Sequence, residues 1–234
     1  MPIGVHPTNL ELLLDLHFRR SITDLVDDWA APLHPITRNP GGDPGGPAWT
    51  DLANNLTVLD FNAANPDWLE ILAADSIDLN FTDSDFSFAA WIKPTTLPVA
   101  TIMCRDGTTD GWTWQHEAGS GAHYLTTCQG AGINQTTFSA PGDLVIGTWC
   151  FVGATRDGAV VKTYKNGVDT TTLAAVHVNP LTAAGFDIHI GVQDDELASE
   201  LDSLLGPRLR AWGRCVPASQ MLAMFEMERA LFNV

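Results

Sequence analysis

Apolar and polar residues alternate over short stretches through most of the chain, which is the period of a half-buried β-strand. The pattern is clearest just before Pro94, a residue that ends a strand because it has no N–H to donate. There the alternation predicts one strand with two faces: Phe86, Phe88, Ala90 and Ile92 on one, Ser87, Ala89 and Trp91 on the other.

Further strands are predicted wherever such stretches are bounded by turn residues. Asp157-Gly158 and Asn166-Gly167 both tolerate the positive φ of a tight hairpin, so they predict two successive hairpin turns. The predicted strands are Leu10–Leu16, Val58–Phe61, Trp68–Ile71, Asp85–Ile92, Ala100–Cys104, Trp112–Glu117, His123–Cys128, Gln135–Phe138, Thr148–Arg156, Ala159–Lys165, Phe186–Gly191 and Leu204–Trp212.

The pattern changes to a helical one near the C-terminus. Pro217 suits the first turn of a helix, where its missing N–H costs nothing. Apolar residues then recur at helical spacing, which predicts a short helix with one buried face: Met221, Met224, Phe225, Leu231 and Phe232. No internal repeat follows, so the sequence predicts one all-β domain with a short C-terminal helix.

One segment breaks the β pattern. From Pro32 to Pro47 the chain is rich in proline and glycine, which predicts a loop. It is long for a compact domain, and such loops often make contacts. We expect it to be ordered against a partner, so that deleting Arg38–Gly46 would weaken assembly and leave the β domain folded; a passive surface loop is the alternative.

The net charge and the spacing of the cysteines argue against some classes of partner and metal site. The 234 residues carry 28 acidic against 12 basic side chains, a net charge of −16, so nucleic acid is a poor partner. No apolar run is long enough to predict a membrane span, and the N-terminus lacks the pattern of a secretory signal. The cysteines are too widely spaced for a zinc site and are expected to be reduced and mostly buried: Cys104, Cys128, Cys150 and Cys215. One disulfide between distant strands is the alternative.

Three segments resemble laminin-G-like domains in order and spacing. The strand Phe86–Pro94 is similar to that family's F-S-x-x-A-W-[VI]-K-P strand. The run Trp149–Ala154, followed by the two hairpin turns and Tyr164, is similar to its W-x-x-V-A … D-G … Y-x-N-G double hairpin. The run from Ile188-His189-Ile190-Gly191 to Trp212 is similar to its I-G … R-[IV]-[YW] ending.

The resemblance implies a concanavalin A-like fold, a two-sheet antiparallel jelly-roll sandwich. It covers roughly Leu56 to Leu231, so we assign residues 56–234 to the jelly roll. Residues 1–55 are expected to add an N-terminal strand and the Pro/Gly-rich loop to the same domain.

Some proteins of this fold cleave glycans with a Glu-x-Asp-x-Glu strand, in which two carboxylates flank the sugar bond. The nearest run here is Glu196-Leu197-Ala198-Ser199-Glu200, which has alanine in place of the central aspartate. We therefore expect that the protein has no glycosidase activity and is not an enzyme.

Calcium is a candidate cofactor, since that ion prefers carboxylate and amide oxygens. Gln193, Asp194 and Asp195 resemble the acidic stretch of pentraxins, a distant branch of the same fold. A second candidate set is Asp75, Asp78, Asp83 and Asp85. The alternative is that an acidic protein has such loops by chance and binds no metal.

Five residues on two neighbouring predicted strands are candidates for glycan binding, because aromatic faces stack on sugar rings. Trp112, Trp114 and His116 share one face of their strand, because successive side chains alternate between the two faces. Residues of this kind are also common in cores. The candidate glycan face consists of Trp112, Trp114, His116, His123 and Tyr124.

Two functions are open at this point. The first is a virion structural protein (a capsid decoration, turret or tail-associated subunit), assembled in the host cytoplasm, with the major capsid protein or copies of itself as partners and host-surface glycans as adhesion targets. A lone laminin-G-like domain without a secretion signal or a catalytic motif favours it. The alternative is a secreted extracellular carbohydrate-binding lectin, with or without calcium.

Overall fold

The computed structural model describes residues 11–18, 26–30, 33–38, 46–64, 67–106, 109–130, 132–193 and 199–234. Its strands form two antiparallel sheets that pack face to face, with one short helix near the C-terminus. The chain therefore has the all-β jelly-roll architecture that the alternation and the resemblance predicted.

The described strands of the first sheet are β1 (Leu12–His17), β2 (Asp27–Asp28), β4 (Ala48–Asp51), β5 (Thr57–Phe61), β7 (Phe86–Pro94), β12 (Cys150–Asp157), β13 (Val160–Lys165), β14 (Val168–Asp169) and β17 (Ser203–Trp212). Strand β7 is central, with β12 on one side and the long strand β17 on the other. One end of β17 pairs with β1 and the other with β5.

The described strands of the second sheet are β3 (Thr37–Arg38), β6 (Leu69–Ile71), β8 (Ala100–Asp106), β9 (Gly111–His116), β10 (His123–Cys128), β11 (Asn134–Ser139), β15 (Thr171–Leu173) and β16 (Ile188–Ile190). They run in the order β15-β11-β10-β9-β8-β16-β6-β3.

The two faces of β7 separate two apolar clusters, as its alternation predicted. Phe86, Phe88, Ala90 and Ile92 belong to the core between the sheets. Ala89 and Trp91 belong to a second cluster on the outer face of the first sheet, covered by helix α1 (Ala218–Glu228). That face is therefore buried, although it lies outside the sandwich.

Helix α1 begins after Pro217 and buries Met221, Met224 and Phe225, as predicted. The predicted apolar face continued to Leu231 and Phe232, but the helix ends at Glu228, so this part of the prediction is only half right. Phe232 is buried and stacks on Trp91, with 4.1 Å between ring centroids, whereas Leu231 is exposed.

Both predicted hairpin turns are confirmed. Asn166 and Gly167 have φ values of 50° and 78° and join β13 to β14, and Gly158 has a φ of 55° in the turn between β12 and β13. The other predicted strands that fall on described residues are present with ends shifted by a few residues.

The Pro32–Pro47 segment was predicted to be entirely loop, and this is wrong for Thr37–Arg38. Those two residues form β3, which pairs with β6 at the edge of the second sheet. Residues 39–45 lie outside the described residues, so the expected partner contact of this segment stays a prediction.

Strands on both sides of residue 55 share the same sheets: β1 pairs with β17, and β4 pairs with β5. The cysteines Cys104, Cys128 and Cys150 are buried, as expected, and Cys215 is half-buried. Within the described ranges no helix has the length and apolar character needed to cross a membrane.

Candidate functional site

The structure places four of the five predicted glycan-face residues inside the sandwich. Trp112, Trp114, His116 and His123 are all 0% exposed. Trp112 and Trp114 pack against Phe88 in the core between the sheets. Rings buried on this face offer no surface to a sugar, so the predicted glycan face is corrected: alternation placed these side chains on one side of their strands, but that side is the core.

Hydrogen bonds fix three of these four rings in the core. Trp112 Nε1 donates to the carbonyl of Leu79 at 3.2 Å, and Trp114 Nε1 donates to His123 Nδ1 at 3.4 Å. His123 Nε2 therefore carries the proton and donates to the carbonyl of Tyr164 in the opposite sheet, at 3.2 Å. Burial lowers the pKa of His123 to about 4, which keeps the ring neutral.

Tyr124 differs from the other four because it points to the opposite face of its strand. It is half-buried and packs against Phe138, with ring centroids 4.9 Å apart. Burial, helped by the charge of Glu117, raises the pKa of Tyr124 to about 12, so its hydroxyl stays protonated and can donate.

An open cleft of about 620 Å³ lies at one end of the outer face of the first sheet. Lys93 of β7 and Asp60 of β5 are both opposite Leu204 of β17, so the three side chains form one row across neighbouring strands. The lining residues are Thr50, Asp60, Asn62, Lys93, Pro94, Thr95, Ile146, Gly147, Asp202 and Leu204.

Two carboxylates dominate the chemistry of the cleft. Partial burial, together with the charge of Asp202, raises the pKa of Asp60 above its ordinary value. Asp202 is held in place at its side chain by Thr96 Oγ1, which donates to Oδ2 at 2.5 Å, and at its carbonyl by the N–H of Thr95 at 2.9 Å. The cleft thus presents positioned acceptors beside one lysine.

The rim adds apolar surface to these polar groups. Ile146 is 56% exposed at the cleft. Next to it, the N–H of Gly147 donates a hydrogen bond to the carbonyl of Pro94 at 2.8 Å. An apolar wall with a few fixed polar groups is the usual composition of a small-ligand site.

The sequence did not reveal this cleft. Asp60 and Asp202 belong to distant parts of the chain and meet only because β17 pairs with β5 at Ser203–Leu205. The one local signal was the polar Asp60 between apolar neighbours in a predicted strand, which indicates an outward position but no partner.

The structure describes only Gln193 of the first predicted calcium set, and all four aspartates of the second. Gln193 accepts a hydrogen bond from Ser199 Oγ at 3.2 Å, whereas Asp194 and Asp195 lie outside the described residues. In the second set, Asp78 Oδ1 contacts His34 Nε2 at 3.0 Å and Asp85 Oδ1 accepts from the N–H of Gly158 at 2.7 Å. Among the described residues, the side chains that do gather at metal-ligand spacing are others: Glu70, Asp187 and His189.

Comparisons with solved structures find the same fold in binding domains of botulinum neurotoxins. One such structure is of botulinum neurotoxin type C, whose cell entry is dependent upon interaction with two ganglioside molecules. It shares 15% identity and a TM-score of 0.69, covering 96% of this chain and 53% of that one. The binding domain of botulinum neurotoxin DC in complex with SialylT shares 14% identity with a TM-score of 0.69, covering 94% and 52%.

The binding domain of neurotoxin DC in complex with rat synaptotagmin II shares 15% identity with a TM-score of 0.68, again covering 94% and 52%. The chain spans about half the length of these structures, and at such identities the likeness concerns the fold.

No curated protein sequence matches the chain. The family description "concanavalin A-like lectin/glucanases superfamily" matches residues 71–220, which is more than half of the sequence. The chain therefore belongs to the concanavalin A-like lectin/glucanase superfamily.

Proposed function

We propose that this chain is a non-catalytic carbohydrate-binding protein that holds a neutral glycan in the cleft between Asp60 and Asp202. The observation that carries the proposal is the cleft itself, in which two carboxylates and a lysine stand beside exposed apolar surface. Carboxylates accept hydrogen bonds from sugar hydroxyls, and an ammonium group donates to the sugar oxygens.

The charge of the protein bears on the type of glycan. The net charge is −16, and two of the three ionisable groups of the cleft are acidic. Anionic sugars would meet repulsion there, so neutral hexoses are the better ligands. One structural neighbour interacts with two ganglioside molecules and another forms a complex with SialylT, which supports glycan recognition on this fold. The type of sugar bound here depends on the groups that line the cleft of this chain.

An array of neutral and acidic glycans, followed by calorimetric titration of the best ligand, tests the proposal. Asp60→Asn and Asp202→Asn should each weaken binding at least about tenfold, because a hydrogen bond from a hydroxyl to a charged acceptor contributes ~1.5–3 kcal/mol. Glu226→Gln is the matched control, because Glu226 is an exposed carboxylate on α1 paired with Arg229, outside the cleft. Unchanged affinity in both cleft variants would contradict the site.

The same glycans and protein variants test the absence of catalysis, which we predict because Ala198 stands in place of the central aspartate of a glycosidase strand. Incubation of the bound glycan with the protein should release no reducing sugar. Turnover that Asp60→Asn or Asp202→Asn abolishes would replace the lectin proposal with a glycosidase.

A second candidate is the virion structural role, and one observation favours it. The end of β15 and the segment after it expose a run of apolar side chains, the apolar edge: Leu173 at 63%, Val176 at 77%, Val178 at 54% and Leu181 at 48%. Apolar surface concentrated in this way often marks contact with another protein. We propose that copies of the chain associate through this edge, as a particle-bound subunit would.

Sedimentation velocity over a concentration series tests this association. The parent should sediment faster as its concentration rises, and the double variant Val176→Ser, Val178→Ser should remain monomeric. Met227→Ser removes an equally exposed apolar side chain, 68% exposed, from helix α1 and serves as the control. A monomeric parent at high concentration would rule out self-association through the apolar edge.

A further inference from the structure

A set of three ligand-type side chains lies on the second sheet, on its outer face. Leu69, Ile71, Ile188 and Ile190 point into the core between the sheets. The residues between them, Glu70 and His189, therefore point outward, and they are directly opposite each other in the β6–β16 pair. Asp187 lies two residues before His189, which places it on the same side.

The distances within this set suit a single ion. The ligand atoms of Glu70, Asp187 and His189 all lie within 4.8 Å of one another. His189 Nε2 and Glu70 Oε2 are 3.6 Å apart. Ligands about 2.0–2.2 Å from a tetrahedral zinc ion stand roughly 3.4 Å from each other, so the pair of His189 and Glu70 is already close to this spacing.

The surroundings hold the three groups in place. Glu70 and His189 stand on paired strands and are 7% and 3% exposed. The N–H of Ala73 donates to Asp187 Oδ1 at 2.6 Å and fixes that carboxylate. Hydrogen bonds that orient metal ligands in this way strengthen metal binding. Asp187 is only partly buried, so the set has access to solvent.

We propose that Glu70, Asp187 and His189 form a binding site for a divalent transition-metal ion of the zinc class. Two carboxylates balance the charge of a dication, which a site buried to this extent requires. The imidazole nitrogen favours zinc or a similar ion, since calcium takes six to eight oxygen ligands. The ion ties β6 to β16 and keeps its remaining coordination positions for water or an external ligand.

The site is independent of the glycan cleft, because the cleft lies on the first sheet and the metal ligands lie on the second. It also differs from both calcium sets predicted from the sequence, with which it shares no residue. A glycan result therefore leaves the metal proposal unaffected, and a metal result leaves the glycan proposal unaffected.

Calorimetric titration of the full, tag-free chain with Zn²⁺, after removal of metals by a chelator, tests the proposal. We expect one equivalent of zinc to bind. Asp187→Asn should weaken binding at least about tenfold, while its amide oxygen still accepts from the N–H of Ala73. Glu70→Gln provides a second variant that removes a ligand charge with little change in shape.

The matched control is Asp169→Asn. Asp169 also accepts a backbone hydrogen bond, from the N–H of Thr171 at 3.1 Å, but it lies on β14 of the first sheet, outside the set and outside both predicted calcium sets. The control matters because a protein with a net charge of −16 attracts cations without a specific site. Equal zinc affinity in Asp187→Asn and Asp169→Asn, or no zinc uptake by the parent, would overturn the proposal.

Two further measurements distinguish this site from nonspecific cation uptake and from zinc bound by a cysteine. Saturating zinc should raise the melting temperature of the parent and not that of Asp187→Asn, since an ion bound only to the folded state stabilises it. Co²⁺ in the same position should give a spectrum without a thiolate charge-transfer band. Such a band would assign the ion to Cys104, which is opposite His189 on β8, and would contradict the ligand set.

Discussion

At the scale of single residues, two glycines in the double hairpin show how local backbone and packing combine. Gly158 and Gly167 both have positive φ. A Cβ added at Gly158 meets nothing within 4 Å, whereas one added at Gly167 would lie 2.5 Å from the Cα of Leu222 in helix α1. Only the second glycine is required both by its turn and by the helix packed against it.

We expect Gly158→Ala to lower the free energy of unfolding by about 1 kcal/mol, the cost of a left-handed conformation for an alanine. Gly167→Ala should lower it by about 3 kcal/mol, because helix α1 must also move. Urea denaturation of both variants measures the difference. Equal losses would mean that the helix does not rest on this turn.

A second feature at this scale is the buried pair formed by His34 and Asp28. His34 Nδ1 contacts Asp28 Oδ2 at 2.6 Å, and Nε2 contacts Asp78 Oδ1 at 3.0 Å. Burial by itself lowers the pKa of His34, but the hydrogen bonds and charges of the two aspartates outweigh it and raise the pKa from 6.5 to about 9.

A histidine whose pKa is higher in the folded state stabilises the fold below its unfolded pKa. That stabilisation is lost as the pH rises through the folded pKa. The free energy of unfolding should therefore fall by up to about 3 kcal/mol between pH 6.5 and 9, since each pKa unit corresponds to ~1.36 kcal/mol. Urea denaturation across this range should show the fall in the parent and not in His34→Gln. The same slope in both proteins would assign the titration to another group.

At the scale of elements, helix α1 acts as a cover over the outer face of the first sheet. Phe225 is 8% exposed and packs on Trp91, with ring centroids 5.8 Å apart. Trp91 Nε1 also donates to Glu228 Oε2 at 2.8 Å, which links the helix to the central strand. The helix is therefore part of the core structure rather than an appendage.

We expect Phe225→Ala to lower the free energy of unfolding by about 3 kcal/mol, because it opens a cavity between the helix and β7. Leu222→Ala on the same helix should cost less than about 1 kcal/mol, since Leu222 is 43% exposed. Chemical denaturation followed by tryptophan fluorescence compares the two. Similar losses would show that the helix packs loosely.

Elements were also what the sequence predicted best. The alternation in β7 and the two Asx-Gly turns are local features, and local geometry determines them. The position of Trp112 and Trp114 was half predictable: their shared face follows from the period of two, but which face is buried depends on the other sheet. The cleft was not predictable, because Asp60 and Asp202 meet only through the register of β17 with β5.

At the scale of the whole molecule, the excess of acidic groups is the main property that no single contact expresses. The net charge is −16 and the isoelectric point is near 4.5. Like charges on a compact surface repel one another, and unfolding spreads them apart, so self-repulsion opposes folding at neutral pH. Dissolved salt screens this repulsion over a Debye length of about 10 Å at 0.1 M and about 3 Å at 1 M.

We expect the melting temperature at pH 7 to rise by several degrees when NaCl increases from about 0.05 M to about 0.5 M, because screening removes a repulsion that only the compact state feels strongly. The same change in salt at a pH near 4.5 should have little effect, since the net charge is then close to zero. Comparing the two pH values separates charge screening from the general action of salt on apolar surface, which operates at both. Circular dichroism melts give both numbers, and an equal rise at the two pH values would show that salt acts through the apolar core and not through the acidic surface.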